Sequence, residues 1–204
     1  MSLFDRLFKG ITKSDNQPSN KGKGSSRGKY YPEENSPIDE KFTYNFNRNG
    51  GKFLYCENMA EVSESFDNIL LENDWYENDV FCIDETLKSK FTGYNLNFIK
   101  KTKATFFLTR CESLVCNNGS ILLSSRQIKE KKLDELPSNI VVFATTSQFT
   151  ENISEGLRII KNTCDNFIPS NITTIQDFET GKEKDFMSYG SSTKNLYLLL
   201  LEDL

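Results

Sequence analysis

The chain has 204 residues, 37% of them hydrophobic and 12% aromatic, which is enough for one compact domain with an appendage. Its 25 basic and 29 acidic side chains give a net charge of −4, which argues against a general nucleic-acid binder. The absence of histidine excludes Ser-His-Asp and Cys-His catalysis and any histidine-ligated zinc or haem.

The N-terminal segment differs from the rest of the chain in composition. Residues 1–11 place apolar side chains at helical spacing, so we predict an amphipathic helix there. Residues 12–40 are predicted to form a flexible linker, first basic and then acidic. The helix either contacts a membrane surface or a partner groove, or folds back on its own domain, and we favour the second alternative.

Residues 41–204 are predicted to form an α/β domain, because apolar runs alternate with segments of helical periodicity. Strands are expected, in chain order, at residues 52–56, 79–83, 104–108, 139–144 and 196–201. An Asn117-Asn118-Gly119 turn signal predicts a hairpin of residues 113–116 and 120–124.

Four helical segments are expected between the strands, and the second is a short helix that follows Asp84-Glu85. Asn58 caps the first, with Glu61 at the capping-box position. Residues 126–135 form a charged helix or turn. Thr150 caps the last helix, whose expected buried residues are Ile153, Leu157, Ile160 and Cys164.

The runs at 139–144 and 196–201 are apolar without alternation. Such runs are typical of strands covered on both faces, as in parallel sheets. We therefore expect an α/β fold with a mostly parallel central sheet, in which the last strand is central or nearly so.

The cysteines indicate a reducing compartment. They are odd in number, without a C-x-x-C pair, so we predict no disulfide framework and a cytoplasmic location. Cys111, beside Arg110, is either a reactive thiol or apolar filler, and we prefer the second alternative.

Polar residues follow the ends of three predicted strands, where ligands of open α/β sheets bind: Asp84-Glu85, the loop from Thr109 to Glu112, and the loop from Thr145 to Gln148. Asp84, Glu85 and Glu112 are candidates for acid–base work or for holding a divalent cation, although helix capping and solvated charge explain the first two equally well. Arg110 is a candidate clamp for an anion, but we prefer its pairing with Glu112. The loop at 189–195 is either an anion cradle built on Lys194 or an ordinary polar loop.

The stretch from Thr109 to Lys161 resembles the LUD-domain family, the LutB/LutC-like lactate-utilisation proteins. Thr109, Gly119-Ser120 and Leu136-Pro137 match family positions in order and spacing, and the last strand resembles the family's closing strand. The resemblance implies a three-layer α/β sandwich like that of the NagB/RpiA/CoA-transferase group. It also implies a link to lactate utilisation, where LutC-like proteins act with iron–sulfur partners.

Departures from the family pattern concern its polar groups. Asn117 stands where the family has glutamate, and Ser191-Ser192-Thr193 stand where it has His-Gly-Pro. Of its later acidic segment only Asp177 corresponds. Because these groups are absent together, we expect a retained scaffold with an altered site.

We therefore predict a cytoplasmic LUD-domain protein, similar to LutC, that binds an anionic small molecule or a protein partner without catalysis, cofactor, metal or nucleic acid. Two alternatives stay open: a scaffold that docks through residues 1–11 on a membrane or membrane protein, and an enzyme acting on a CoA- or phosphate-bearing ligand. No catalytic residue is assigned. The candidate ligand-binding residues are Thr109, Arg110, Glu112, Asn117, Gly119, Thr145, Gly190, Ser191, Ser192 and Lys194.

Overall fold

The structure, a computed structural model, describes residues 36–163, 168–178 and 194–203. Its helices are α1 (Ile38–Arg48), α2 (Met59–Asn73), α3 (Glu85–Lys90), α4 (Ser125–Ile128) and α5 (Ile153–Asn162). Its strands are β1 (Lys52–Cys56), β2 (Asp79–Phe81), β3 (Asn97–Ile99), β4 (Phe106–Thr109), β5 (Ser113–Val115), β6 (Ser120–Leu123), β7 (Asn139–Thr145), β8 (Phe149–Thr150), β9 (Thr173–Ile175) and β10 (Asn195–Leu201).

A six-stranded parallel sheet forms the centre of the molecule, in the order β1-β10-β7-β4-β2-β3. β10 lies between β1 and β7, with Asn195 opposite Asn139 and Leu201 opposite Thr145. Residues 196–200 are all buried, because both faces of this strand are covered. The prediction that the last strand is central or nearly so is confirmed, because β10 is an interior strand next to the edge strand β1.

Helices cover one face of the central sheet, and a second sheet covers the other. On the first face, Phe66 of α2 and Leu87 of α3 pack into one apolar core. On the second face, α1 and the sheet β8-β5-β6-β9 enclose another core. α5 lies outside the second sheet, where Ile160 packs against Val115. The predicted α/β three-layer sandwich with a mostly parallel central sheet is confirmed.

The predicted hairpin is present as the antiparallel pair β5–β6, in which Leu114 lies opposite Ile121. Gly119 in its turn has a φ of 67°, a conformation that glycine adopts without the steric cost that a Cβ brings. The Asn-Gly signal therefore predicted both the turn and the residue that permits it.

Helix α1 was not predicted, and it reaches into the predicted linker of 12–40. Phe42 and Phe46 are fully buried on it and stack with ring centroids 5.2 Å apart. Their i, i+4 spacing is a helical signal, but the polar residues around them give the segment a linker-like composition. α1 therefore forms because two aromatic side chains bury against the second sheet.

The start of α5 also differs from the prediction. Thr150 belongs to β8, and the side chain of Asn152 caps the helix by accepting a hydrogen bond from the Glu155 N–H at 3.0 Å. The prediction of Thr150 as the cap is wrong. Leu157, expected to be buried, is 39% exposed, whereas Ile160 is 2% exposed.

β3, β8 and β9 were not predicted. In the described part of the chain, none of the helices combines the length and the apolarity that crossing a membrane requires. The predicted helix at 1–11 and Cys164 lie outside the described residues.

Candidate functional site

The connections leaving β2 and β4 diverge at the carboxyl end of the central sheet. β2 continues into α3 on the helical face, and the chain after β4 continues into β5 on the opposite face. β2 and β4 are neighbours in the sheet, so the divergence opens a crevice between them. In open parallel sheets, such a switch point is where ligands bind.

A cleft of about 570 Å³ occupies this crevice, within the range of small-molecule sites. Four of the predicted ligand-binding residues line it, namely Thr109, Arg110, Glu112 and Thr145. They meet because each lies at or just beyond the carboxyl end of β4 or β7. Ile83 and Phe143 supply apolar wall.

Arg110 bridges the crevice by pairing with Asp84, with Nη2 2.5 Å from the Asp84 carboxylate. Its Nε also donates to Asp84 at 2.7 Å, and Nη2 donates to the Thr86 hydroxyl at 2.5 Å. The preferred prediction of an Arg110–Glu112 pair is therefore wrong. The sequence did not indicate the Asp84–Arg110 pair, because Asp84 follows β2 and Arg110 follows β4. These two strands become neighbours only in the folded sheet.

Asp84 is also the N-cap of α3 and accepts the Thr86 and Leu87 N–H groups. Burial alone would raise the pKa of this carboxyl, but hydrogen bonds from Thr86, Leu87 and Arg110 outweigh burial and hold the pKa below its ordinary value. Asp84 is therefore an ionised carboxylate whose oxygens are occupied. Glu85, the neighbouring candidate, pairs with Lys88 at 2.7 Å instead.

Glu112 is the most buried carboxylate of the cleft, with its side chain 9% exposed. One oxygen accepts the Ser124 hydroxyl at 2.6 Å, and the other lies 3.3 Å from Arg126. Both oxygens of this carboxylate are thus occupied as well. Ser124 is the N-cap of α4, so this hydrogen bond ties α4 to the floor of the cleft.

Gln148 braces the wall of the cleft between β4 and β7. Its amide donates to the Cys111 carbonyl at 2.7 Å and accepts from the Thr145 N–H at 2.9 Å. Cys111 is 5% exposed, and burial raises the pKa of its thiol, with the nearby Glu112 adding to the effect. These facts support the prediction that Cys111 is apolar filler rather than a reactive thiol.

Three basic side chains and two acidic ones line the cleft: Arg110, Arg126 and Lys129 against Asp84 and Glu112. Their balance is one net positive charge, in a protein whose net charge is −4. A local positive potential in a concave site concentrates anions.

Lys129 and Gln127 offer hydrogen-bond donors to the cleft that have no acceptor among the described residues. Gln127 accepts the Ser124 N–H through Oε1 at 2.9 Å, and within the described residues no partner accepts from its Nε2. Lys129 is exposed and has no ion pair in that same part of the chain. Neither residue was predicted to bind a ligand, because nothing in the charged segment at 126–135 indicated that it lies beside the central sheet.

The backbone of the α4 loop is held from outside the cleft by Asn171. Its side-chain amide donates to the carbonyls of Lys129 at 2.7 Å and Lys131 at 2.9 Å. Lys129 itself has a φ of 55°, a left-handed conformation that few non-glycine residues adopt. The position of the Lys129 amine thus depends on contacts between distant segments.

Asn117 and Gly119 do not line the cleft, although both were predicted ligand-binding residues. The carbonyl of Asn117 accepts from the Asn45 amide at 3.2 Å. A Cβ on Gly119 would lie 2.4 Å from backbone atoms of Asn45 and Phe46. These residues therefore fasten the hairpin to α1.

Lys194 lies at the amino end of β10, which is the edge of the sheet opposite the cleft. It is 3% exposed, and its amine donates to the carbonyls of Leu136 at 2.9 Å and Pro137 at 3.2 Å. Burial lowers the pKa of this amine, against a raising effect of Asp134. Lys194 thus joins the start of β10 to the loop before β7. Gly190, Ser191 and Ser192 lie outside the described residues.

Metal coordination has no support in the described residues, where no three His, Cys, Asp or Glu side chains cluster so as to hold an ion. Both oxygens of Asp84 and of Glu112, the two carboxylates of the cleft, already accept from the donors described above. The arrangement is that of a site rich in donors and poor in free acceptors.

No family model and no curated protein matches this sequence. A solved structure described as a DUF162 family protein from Deinococcus radiodurans is similar in fold, with a TM-score of 0.58 over 81% of this chain and 96% of that chain. The sequences are 14% identical over this match, so the likeness concerns the fold. DUF162 corresponds to the LUD domain. The chain therefore has the fold of a LUD-domain protein, in agreement with the resemblance in its sequence.

Proposed function

We propose that this protein is a member of the LUD-domain family that binds a small anionic molecule in the cleft and does not transform it. The proposal combines the fold likeness with the residues at the switch point of the sheet. It places the ligand between the carboxyl ends of β2 and β4 and the α4 loop.

The proposal rests on a contrast within the cleft: its carboxylates already accept hydrogen bonds, whereas two of its donor side chains have no partner among the described residues. Asp84 and Glu112 are satisfied by neighbouring donors, whereas Lys129 and the Gln127 amide retain donors without partners in the described residues. A ligand that offers oxygen acceptors gives the half-buried Gln127 amide a partner and accepts a charge-assisted hydrogen bond from the exposed Lys129 amine. One net positive charge suits a monoanion.

The same contacts favour binding over catalysis. A general base needs a free lone pair within reach of the proton that it removes. The Asp84 carboxylate holds its lone pairs in hydrogen bonds from Thr86, Leu87 and Arg110, and each oxygen of Glu112 already accepts from one donor. The lowered pKa of Asp84 also makes it a poor proton donor near neutral pH. Asn117, which replaces the family glutamate, lies in the hairpin rather than in the cleft.

We propose further that the protein is associated with lactate utilisation, resembles LutC in its role and acts in the cytoplasm. Lactate and pyruvate are small monoanions, and their charge matches that of the cleft. A protein partner bound through residues 1–11 stays a prediction from the sequence.

A thermal-shift and calorimetric panel on the full chain tests the proposal, with lactate, pyruvate, inorganic phosphate, sugar phosphates and coenzyme A. A ligand at about 100 times its Kd adds about 2.7 kcal/mol of stability, which corresponds to a shift of several degrees. We expect at least one anion to shift the melting temperature of the wild type.

Lys129→Met and Arg126→Ala locate the binding. Lys129→Met retains the length of the side chain and removes its charge, so the shift should fall sharply. Lys161→Met is the matched control, because Lys161 is an exposed lysine of α5 that does not line the cleft. A flat panel, or a shift that survives both cleft substitutions, contradicts the proposal.

A further inference from the structure

The lysine that lines the cleft, Lys129, has an unusual backbone conformation. Its φ is 55° and its ψ is −134°, and the N–H of Lys131 donates to the carbonyl of Ile128 at 3.2 Å. These angles are close to those of the first central position of a type II′ turn, which glycine usually occupies. A residue with a Cβ therefore stands where glycine would be free of strain.

The strain of this turn coincides with the cleft. A residue held in a sparsely populated backbone conformation persists only where the surrounding structure enforces it, and such residues concentrate at functional sites. Glycine at this position would relieve the strain, but it would bring no amine to the cleft. The position therefore requires the side chain of Lys129 at the expense of its backbone.

The segment that leads into β9 holds the turn in place. The Asn171 amide donates to the carbonyls of Lys129 at 2.7 Å and of Lys131 at 2.9 Å. Next to it, the Ser170 carbonyl accepts the N–H of Ser125, the first residue of α4, at 2.9 Å. A single side chain thus spans the turn, and the adjacent residue fastens the helix that precedes it.

The backbone of Asn171 suits this contact. Its φ is 49°, and asparagine adopts left-handed conformations more readily than most residues do. The residue is half-buried and does not line the cleft. Any effect of Asn171 on a ligand in the cleft must therefore pass through the turn.

We propose that Asn171 is a positioning residue that holds the Lys129 amine within reach of the bound anion, an inference that rests on the function proposed above. Without the Asn171 amide, the turn is free to relax to an unstrained conformation, which moves the lysine side chain away from the ligand. A purely structural role of Asn171 would change the stability of the protein and leave its affinity for the anion as it is.

Calorimetric titration of the full chain with the anions of the panel, namely lactate, pyruvate, inorganic phosphate, sugar phosphates and coenzyme A, tests the inference. Lys129→Met should raise the Kd about tenfold or more, because a charge-assisted hydrogen bond is lost. Asn171→Gly removes the amide without adding strain, because glycine adopts a positive φ freely, and it should raise the Kd several-fold.

Asn95→Gly is the matched control for the loss of an asparagine side chain. Asn95 also has a positive φ, of 52°, but it is exposed and does not line the cleft. Its substitution should leave the Kd unchanged.

The double variant separates positioning from a structural contribution. Two substitutions that act through the same group are not additive, so Asn171→Gly should raise the Kd no further once Lys129 is replaced by Met. An unchanged Kd in Asn171→Gly alone overturns the inference. A full additional effect in the Lys129→Met background overturns it as well.

Lys129→Gly and Lys129→Ala test the strain without a ligand. The glycine variant should melt a few degrees above the alanine variant, because only alanine retains a Cβ at this φ. Equal melting temperatures refute the strain and with it the need for Asn171.

The titrations distinguish failure of the inference from failure of the proposed function. A wild type that binds none of the anions contradicts the proposed function, and the role of Asn171 falls with it. A wild type that binds, together with an Asn171→Gly variant that binds equally well, overturns the positioning role alone.

Discussion

Gly119→Ala gives the sharpest test of how the hairpin and α1 are joined. At Gly119 the backbone has a φ of 67°, and an added Cβ would lie 2.4 Å from the Asn45 carbonyl carbon and from the Phe46 nitrogen. Those atoms belong to the helix backbone, so they cannot rotate away as a side chain does. The variant therefore strains its own backbone and displaces α1.

The magnitude follows from these two effects. A left-handed conformation costs a residue with a Cβ about 1–2 kcal/mol, and forced repacking costs about 1–3 kcal/mol. We expect Gly119→Ala to lower the free energy of unfolding by roughly 2–5 kcal/mol, a large part of the ~5–15 kcal/mol that stabilises a domain.

Urea denaturation measures the change. Gly93→Ala is the matched control, because a Cβ there would contact nothing within 4 Å, and its free energy of unfolding should change little or rise slightly. A loss below about 1 kcal/mol for Gly119→Ala would refute the close approach of α1 to the turn. It would also reopen a ligand-binding role for Gly119.

Three further predictions concern buried charge and the central strand. Asp84 has a pKa held below its usual 3.8, so it contributes stability above that pH which is lost as the pH falls through the folded-state value. Asp84→Asn should therefore be less stable than the wild type at neutral pH in urea denaturation, and the difference should shrink as the pH falls below 3.8. A difference that does not change with pH contradicts this. Lys194 has a pKa lowered from 10.5, so the folded state releases its proton first. The stability of the wild type relative to Lys194→Met should rise with pH from the lowered pKa toward 10.5, and a flat difference would show that burial does not penalise the charge. Leu198 is fully buried in β10, so Leu198→Ala should lower the free energy of unfolding by about 2–5 kcal/mol in chemical denaturation. A loss near zero would contradict the interior position of β10 in the sheet.

Part of the candidate site followed from chain direction alone. Thr109, Arg110, Glu112 and Thr145 lie in or just beyond the carboxyl ends of strands that were predicted to be parallel, so they share one edge of the sheet. By the same rule Lys194, which precedes its strand, belongs to the opposite edge. The prediction that placed Lys194 among the ligand-binding residues overlooked this rule.

The remaining site residues required the tertiary structure. Gln127 lies in α4 and Lys129 directly follows it. This segment comes after β6 of the second sheet and is tied to the cleft by the Ser124–Glu112 hydrogen bond at 2.6 Å. The Asp84–Arg110 pair depends on β2 lying beside β4. The hydrophobic periodicity of a segment does not indicate the order of the strands in a sheet or how one sheet covers another.

By itself, the sequence determined the class of the fold, the hairpin and the central place of the last strand. Hydrophobic period, turn residues and uninterrupted apolar runs are local signals with direct structural causes. Only the tertiary structure decided which charges pair, which donors stay without partners and which helix fills the space above the hairpin. Those outcomes depend on contacts between residues distant in the chain, and a local pattern carries no information about its distant neighbours.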